Sequence, residues 1–293
     1  MKYLHVVEEQ GRYMASLRET PTPATARGEV LIRVAASGVN RADLSQIAGR
    51  YPPPPGESEI LGLEVSGTRE DTGEPACALL AGGGHAEYVT APAGQMFPAP
   101  PGLDLATAAG IPEAYLTAFV NLVVEGGLPR ESGVLVHAAA SGVGLAAIHI
   151  AKFCGARVAA TTRTAEKVAG LEAAGADLVV DTSRADVAAE LAARWGPDAV
   201  DVVLDPIGAA SLATDLAVLK MGGRIVMLST MSGSRAELDL AFLMKKRARI
   251  VGSMLRSRSR AEKAAIVARF KDEMLPGFAA GTLKVTVDSV FPV

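Results

Sequence analysis

The feature that most constrains the fold is a regular alternation of short apolar stretches and helical segments between residues 134 and 228. The stretches that read as strands are Val134–Ala138, Arg157–Thr161, Leu178–Val180, Asp201–Asp205 and Arg224–Leu228. Helical segments separate them, among them Gly142–Cys154, Ala165–Ala174 and Arg184–Arg194. Apolar strands that alternate with helices are typical of a parallel sheet covered on both faces. This part of the chain is therefore predicted to be a doubly wound α/β domain.

The flanking regions have a different texture. Up to about Pro112, short apolar runs are broken by Pro and Gly, as in the stiff loop Pro52–Gly56 that follows Tyr51. This pattern is typical of an α+β or all-β region. After Ser253, the sequence predicts a helix that ends at about Phe270 and a strand-like stretch at Leu283–Val287.

Composition excludes several classes of protein. A chain of 293 residues with 49% hydrophobic residues is ample for two packed domains and is not disordered. The net charge of −3 argues against general binding to nucleic acid or to anionic membranes. Cys77 and Cys154 cannot form a disulfide framework or a Cys-rich zinc site. No signal peptide or apolar run of roughly 18 residues is visible, so a cytoplasmic protein without a membrane span is expected.

The first predicted strand of the α/β domain runs into a turn of small residues, Ala139–Gly144, and then into a helix. Such a turn lets the backbone approach a pyrophosphate at the positive end of the helix. The motif is a loose form of the dinucleotide-binding fingerprint, with Ala and Ser at the early Gly positions. A tight strand–helix turn without a ligand remains the alternative.

The end of the second predicted strand bears on which cofactor binds. An acidic residue there would bind a ribose 2′-hydroxyl, but the sequence reads Thr161, Thr162, Arg163, Thr164 and, further on, Lys167. Hydroxyl groups and cations suit a 2′-phosphate, which favours NADPH over NADH. Alternatively, Arg163 and Lys167 are ordinary solvated residues at a helix start.

With these motifs placed, the chain resembles the zinc-free quinone oxidoreductases of the medium-chain dehydrogenase/reductase superfamily, and most of all the p53-inducible quinone oxidoreductases and their bacterial relatives. The segments that carry the resemblance are Ala35–Leu44, Gly49–Gly56, Leu61–Gly67, Ile111–Phe119 and Ser253–Arg258. The resemblance implies a GroES-like β-rich catalytic domain, residues 1–115 and 255–293. This domain is interrupted by a Rossmann NADP-binding domain, residues 116–254, with the active site in the cleft between them.

The resemblance also bears on metal chemistry and on the reaction. Zinc alcohol dehydrogenases of this superfamily have Cys where this chain has Asn40, and His where it has Leu63, so no tetrahedral zinc site is expected. Hydride transfer then requires an acceptor that is already electrophilic, such as a quinone or an enone. Asn40 and Tyr51 are the implied catalytic residues. Asn40 would hold the carboxamide or polarise a carbonyl, and Tyr51 would donate a hydrogen bond or a proton. From the residues alone, Asn40 is equally well a turn residue and Tyr51 a ring packed on the proline loop.

The remaining implied contacts are with NADPH. Asn40 is one of them, and the others are Ser141, Gly142, Val143 and Gly144 at the pyrophosphate, Thr161, Arg163, Thr164, Lys167 and Thr182 at the adenosine phosphate, Leu228, Ser229 and Thr230 at the nicotinamide ribose, and Met254, Leu255 and Arg256 beside the domain crevice. At Thr182, relatives often have Tyr, so one support for NADPH is missing. Arg256 with its neighbours Arg258 and Arg260 reads as a solvated helix entry or a phosphate contact.

The expected activity is therefore NADPH-dependent reduction of a quinone or enone. Two alternatives stay open: a reductase of 2-enoyl thioesters, and a catalytically silent crystallin-like relative with a structural or RNA-binding role. A homodimer formed through an edge strand of the cofactor sheet is expected from the family. Against that family, the segment Gly67–Gly73 is short, and relatives continue beyond the match to Ser289–Val293. We therefore expect a trimmed or shortened chain.

Overall fold

The computed structural model of the protein describes residues 1–292. Backbone contacts divide the chain into two compact units. One consists of Met1–Leu116 together with the chain from Leu255 onward, and the other is Thr117–Met254.

The first unit is built mainly from antiparallel strands. They are β1 (Lys2–Glu9), β2 (Arg12–Glu19), β3 (Glu29–Ser37), β4 (Glu64–Arg69), β5 (Pro75–Leu79), β6 (Tyr88–Pro92) and β7 (Met96–Pro98). Strands β1 and β2 form a hairpin, and the other five form a sheet of order β6-β3-β4-β5-β7. Inward-facing residues such as Ile32, Val65 and Ala78 are fully buried and form its core. Helix α1 (Arg41–Ile47) follows β3 directly and places Asn40 at its start.

A nearly continuous helical run follows the first sheet. It comprises α2 (Leu105–Ala108), α3 (Pro112–Phe119) and a π-helical segment, Val120–Glu125. Contrary to the expectation from sequence, the run Leu105–Glu125 is long and apolar enough to cross a membrane by length and composition. However, 67% of its most apolar window is buried within the protein, as is common for a core helix.

The second unit contains the predicted doubly wound parallel sheet. Its strands are β8 (Gly133–Val136), β9 (Arg157–Thr162), β10 (Leu178–Asp181), β11 (Val200–Asp205), β12 (Leu219–Met227) and β13 (Arg249–Gly252), and its helices are α4 (Gly142–Phe153), α5 (Val168–Ala173), α6 (Val187–Trp195), α7 (Leu212–Val218) and α8 (Leu240–Lys246). The spatial order β10-β9-β8-β11-β12-β13 corresponds to 3-2-1-4-5-6 within the unit. This is the strand order of a dinucleotide-binding sheet, whose ligands lie at the carboxyl ends of the strands.

Two elements near the end of the chain differ from the sequence prediction. Helix α9 (Arg260–Ala279) extends well past Phe270, because its apolar residues pack on the first unit: the Phe270 and Phe97 rings are 5.7 Å apart. The strand expected at Leu283–Val287 is absent from the described residues, since no neighbouring strand pairs with it. Instead, the carbonyl of Lys284 accepts a hydrogen bond from the Tyr115 hydroxyl.

Candidate active and cofactor-binding sites

Asn40 lies in a buried polar cluster of the first unit. Its backbone N–H donates to the Asp43 carboxylate at 2.7 Å, which caps the start of α1. Its side-chain Nδ2 donates to Glu64 Oε1 at 2.8 Å, and Glu64 Oε2 accepts the backbone N–H of Glu113 at 2.7 Å. Gly38 is required here, because a Cβ at this position would lie 2.1 Å from Glu64 Oε1. The sheet end and the first turn of α3 therefore hold the Asn40 side chain.

The carboxyl groups of this cluster are crowded. Burial raises the pKa of Glu64 to about 7, and the hydrogen bonds that the carboxylate accepts offset only part of this effect. Burial also raises the pKa of Glu113 to about 8, and the negative charges of Glu64 and Asp43 raise it further. Lys263 and Arg256 act in the opposite direction on Glu113. The pKa values of both carboxyl groups therefore lie near neutral pH.

His85 joins two parts of the same cluster. Its Nδ1 is 2.6 Å from Ser37 Oγ, and its Nε2 is 3.5 Å from Asp43 Oδ2. Asp43 Oδ1 accepts in addition the backbone N–H of Gly62 at 3.2 Å. The imidazole therefore ties the end of β3 to the first turn of α1, on which Asn40 depends.

Tyr51 lies against a buried arginine. The guanidinium carbon of Arg256 is 5.0 Å from the centroid of the Tyr51 ring, and Nη1 donates to the Tyr51 carbonyl at 3.0 Å. Its remaining donors reach the Ala81 carbonyl at 2.9 and 2.6 Å and Gln46 Oε1 at 2.7 Å. Arg256 is only 4% exposed, so its interpretation as a solvated helix entry is wrong. A role in cofactor binding stays a prediction.

The Tyr51 ring is partly buried, and its hydroxyl has no hydrogen-bond partner within residues 1–292. Burial, and then the negative charge of Glu113, raise the pKa of this phenol, while Arg256 opposes them. Tyr51 therefore stays protonated at neutral pH and is able to donate a hydrogen bond.

In the second unit, the turn between β8 and α4 has the features of a phosphate-binding loop. Ser141 caps α4 by accepting the backbone N–H of Gly144 at 3.1 Å. Gly144 permits the close approach of helix and strand, since its Cβ would lie 2.4 Å from the Ala139 carbonyl oxygen. A Cβ at Gly142 would meet nothing within 4 Å, and Gly142 is exposed, as is Ser141. The helix therefore begins next to open space.

The residues predicted near the adenosine phosphate lie at the ends of two neighbouring strands, β9 and β10. Arg163 and Lys167 are exposed, and neither forms an ion pair within the described chain. Thr182 is exposed and bonds through its backbone N–H to the Thr162 carbonyl at 2.8 Å. Thr164 is partly exposed beside them.

Thr161 differs from these neighbours, because it is 3% exposed and its hydroxyl lies 3.0 Å from His137 Nδ1. His137 Nε2 is in turn 2.6 Å from Asp215 Oδ1. Burial disfavours the charged imidazole, but the hydrogen bond and charge of Asp215 give a net rise in the pKa of His137. The Thr161 hydroxyl is therefore part of the sheet's core.

The other predicted cofactor residues follow β12 and β13. Leu228 continues the end of β12, and its N–H donates to the Asp205 carbonyl at 3.0 Å. Ser229 and Thr230 are exposed in the loop that follows. Met254 is 53% exposed at the end of the second unit, whereas Leu255 is buried in the first unit.

Comparison with known proteins identifies the family. Residues 142–271 match the family described as zinc-binding dehydrogenase, and residues 26–82 match the alcohol dehydrogenase GroES-like domain. Quinone oxidoreductase from Lama guanicoe is 30% identical over all of this chain and 90% of its own length. Prostaglandin reductase-3 from Bos taurus is 30% identical over 93% of this chain and 75% of its own length. The chain belongs to the medium-chain dehydrogenase/reductase superfamily.

A solved structure of this superfamily supports the same conclusion. The quinone oxidoreductase from Thermus thermophilus, which was also crystallised with NADPH, is 30% identical and has a TM-score of 0.80. The match covers 97% of this chain and 89% of that structure. The predicted combination of a GroES-like domain and a Rossmann sheet is thereby confirmed, and the protein is a member of a family of oxidoreductases.

Sequence reasoning missed part of the polar cluster that this medium-chain dehydrogenase/reductase builds around Asn40. Asp43, His85, Glu113 and Lys263 were not recognised as a group, because they lie on separate elements. The available signal was weak: an acidic residue three positions after Asn40, and a Pro–Glu pair at the start of α3. Within residues 1–292, no group of three His, Cys, Asp or Glu side chains is arranged to hold a metal ion.

Proposed function

We propose that this protein catalyses the NADPH-dependent reduction of quinones or related enones by hydride transfer without zinc. Membership of the superfamily supports an oxidoreductase, and the relatives named as quinone oxidoreductases support the acceptor class. The observation that carries the cofactor preference is the pair of exposed cations at the end of β9, Arg163 and Lys167, with no carboxylate paired to them among the described residues.

The residues of the second unit fit NADPH. The open space at Gly142 leaves room for a pyrophosphate at the start of α4, where helix N–H groups lack intrahelical partners. Arg163 and Lys167 would neutralise a 2′-phosphate, with the Thr164 hydroxyl as a neutral donor beside them. The Thr182 hydroxyl donates to the Thr162 carbonyl at 3.3 Å and would have to turn to reach the phosphate. The Thr161 hydroxyl is buried and contacts His137 at the end of β8, so it would not bind the phosphate directly.

Bound NADPH supplies a hydride, and the quinone takes up this hydride together with a proton to become a hydroquinone. The contribution of this chain is to orient the acceptor and to supply a hydrogen bond or the proton. Tyr51 suits that role because its phenol is protonated at neutral pH and its hydroxyl lacks a partner within residues 1–292. Zinc-independence is supported by the side chains present, since the alkyl group of Leu63 and the Glu64-bound amide of Asn40 are poor zinc ligands.

Stopped-flow oxidation of NADPH with a panel of ortho- and para-quinones, enones and an enoyl-CoA tests the proposal. Rapid oxidation by quinones or enones is expected, and chelator treatment should leave the rate unchanged. Preference for the enoyl-CoA would establish the thioester reductase alternative. Tight NADPH binding without oxidation by any acceptor would favour the catalytically silent alternative.

The cofactor preference has its own test. Arg163→Ala combined with Lys167→Ala should raise the NADPH Kd by about 100-fold, the factor for two lost charge-assisted contacts of about 1.4 kcal/mol each, and should change the NADH Kd little. Arg184→Ala, an exposed arginine paired with Asp181 after β10, is the matched control. Equal effects on the two cofactors would contradict the 2′-phosphate assignment.

We also propose a homodimer. Strand β13 is an edge strand of the parallel sheet and offers unpaired backbone groups to a second copy. Light scattering coupled to size exclusion should give twice the chain mass of 30.2 kDa. A monomeric mass at micromolar concentration would contradict this proposal.

A further inference from the structure

We propose that Glu64 sets the polarity of the Asn40 amide, so that Asn40 offers its ligand a hydrogen-bond acceptor and not a donor. The inference rests on the proposed function only in taking Asn40 as a contact of the nicotinamide. Glu64 is then a positioning residue, and Asn40 holds the nicotinamide carboxamide and does not polarise a carbonyl group of the acceptor.

The direction of the amide follows from what surrounds its nitrogen. Nδ2 of Asn40 donates to Glu64 Oε1 at 2.8 Å and has a second, longer contact of 3.4 Å with the Gly38 carbonyl. A carbonyl is an acceptor only, and so is an ionised carboxylate, so both amide hydrogens point inward. If the Asn40 amide were turned over, Oδ1 would face Glu64 Oε1 and the Gly38 carbonyl oxygen, which are both acceptors. Oδ1 therefore faces away from Glu64 Oε1 and the Gly38 carbonyl, on the side of the amide next to the first turn of α1.

Glu64 itself has little freedom to turn. It is 3% exposed, and its second carboxyl oxygen accepts the Glu113 N–H at 2.7 Å. The first carboxyl oxygen lies directly over Gly38, where not even a methyl group fits. Each oxygen thus faces an N–H donor, and above about pH 7, the pKa of Glu64, both accept as oxygens of an ionised carboxylate. The titratable groups around it are Asp43 on α1, Cys77 on β5 and Glu113 on α3.

The chemical consequence concerns which ligand group Asn40 binds. The amide oxygen pairs with a donor, such as the carboxamide N–H of a nicotinamide, and repels the carbonyl oxygen of a quinone. Asn40 accordingly holds the cofactor's carboxamide and does not polarise the acceptor. Hydrogen bonding to the quinone carbonyl is left to Tyr51, whose hydroxyl is a donor.

A cofactor analogue that lacks the donor provides the direct test. In 3-acetylpyridine adenine dinucleotide phosphate, an acetyl group replaces the carboxamide, so no N–H is present. Calorimetric titration of the wild-type protein at about pH 8.5, above the pKa of Glu64, should give a Kd for this analogue about tenfold higher than for NADP⁺, the factor for one lost hydrogen bond. Asn40→Ala and Glu64→Gln should both bind the two ligands nearly equally. Equal affinities in the wild-type protein would overturn the proposal.

A double-mutant cycle separates an action through Asn40 from a general structural effect of Glu64. Glu64→Gln should raise the NADP⁺ Kd in the wild-type background but not further in the Asn40→Ala background. Glu113→Gln is the matched control, because it alters a carboxyl group of the same cluster while keeping the backbone N–H that bonds to Glu64. Its effect on the free energy of NADP⁺ binding should add to that of Asn40→Ala. If the effect of Glu64→Gln on NADP⁺ binding adds to that of Asn40→Ala, the proposal is overturned. Melting temperatures show whether each variant is folded. Failure of the wild-type protein to bind NADP⁺ would instead refute the proposed function.

Discussion

Arg256 illustrates how a single buried residue can connect stability with the candidate active site. Its guanidinium group binds carbonyl and amide oxygens on two separate segments, at Gln46 and Ala81, and lies under the ring of Tyr51. Its hydrogen bonds go to neutral oxygen atoms, and the negative charges of Glu113, Asp43 and Glu57 favour its charged form against the larger effect of burial, which lowers its pKa. The planar fork of arginine suits such a site better than the point charge of lysine.

Arg256→Lys should therefore lower both stability and turnover. Loss of at least two carbonyl bonds is expected to reduce the free energy of unfolding by about 2–4 kcal/mol. The Tyr51 ring loses its support, so kcat for a quinone should fall while the NADPH Kd changes little. Urea denaturation and steady-state kinetics measure these effects.

The control for this substitution is Arg260→Lys. Arg260 forms exposed ion pairs with Glu29 and Glu57, so a change within about 0.5 kcal/mol is expected. A large rise in the NADPH Kd of the Arg256→Lys protein, with kcat unchanged, would instead support the cofactor contact that the sequence suggested.

Among the secondary-structure elements, the turn between β8 and α4 contains two glycines with different physical roles. Gly144 is buried against the Ala139 carbonyl and is required for close packing of helix and strand. Gly142 faces open space and is required only if a ligand approaches the backbone there. The turn also contains Ala138 at φ 47°, a left-handed conformation that costs a non-glycine residue about 1–2 kcal/mol.

Alanine substitutions should separate the two roles. Gly144→Ala forces a Cβ to within 2.4 Å of a backbone oxygen and should lower the free energy of unfolding by about 1–3 kcal/mol or more. Gly142→Ala should leave the melting temperature unchanged or slightly higher, yet raise the NADPH Kd. Circular dichroism and fluorescence titration are the measurements. Unchanged NADPH binding in the Gly142→Ala protein would contradict binding of the pyrophosphate at this turn.

For the whole molecule, the buried acids predict how stability depends on pH. The pKa of Glu64 is raised to about 7 and that of Glu113 to about 8, above the usual value of 4.5. Between about pH 4.5 and about pH 8, these two side chains bind more protons in the folded protein than in the unfolded chain. The free energy of unfolding therefore falls as pH rises through this range. The raised pKa of His137 acts in the same direction, since its charged form is favoured on folding.

Urea midpoints measured between pH 5 and pH 8.5 should therefore decline with rising pH. Glu64→Gln and Glu113→Gln should each make the decline less steep. The pH-dependent part of the free energy of unfolding that each substitution removes is at most about 1.4 kcal/mol for each unit by which the pKa is raised. The effect should be smaller for Glu113, which is partly exposed. Glu172→Gln on the exposed face of α5 is the control. Midpoints that rise steadily with pH in the wild-type protein would contradict the assignment of buried, proton-rich acids.

Local sequence patterns were sufficient to predict the parts of the fold that form over a few consecutive residues. Apolar strands alternating with helices predicted the parallel sheet, and the small-residue turn before α4 predicted its ligand-binding edge, because strand and turn propensities act over a few residues. The resemblance pointed to Asn40 and Tyr51 through short motifs around them. Short strand β13 and the end of α9 were missed, since their stability comes from neighbours in space.

The contacts that hold the site residues form between segments that are distant in the sequence. Asn40 meets Glu64 from 24 residues away, and Arg256 meets Gln46 from 210 residues away. No local pattern encodes such pairings. The direction of the Asn40 amide, the burial of Arg256 and the raised pKa of the buried acids all depend on desolvation and on hydrogen bonds between distant segments, which arise only when the chain is folded.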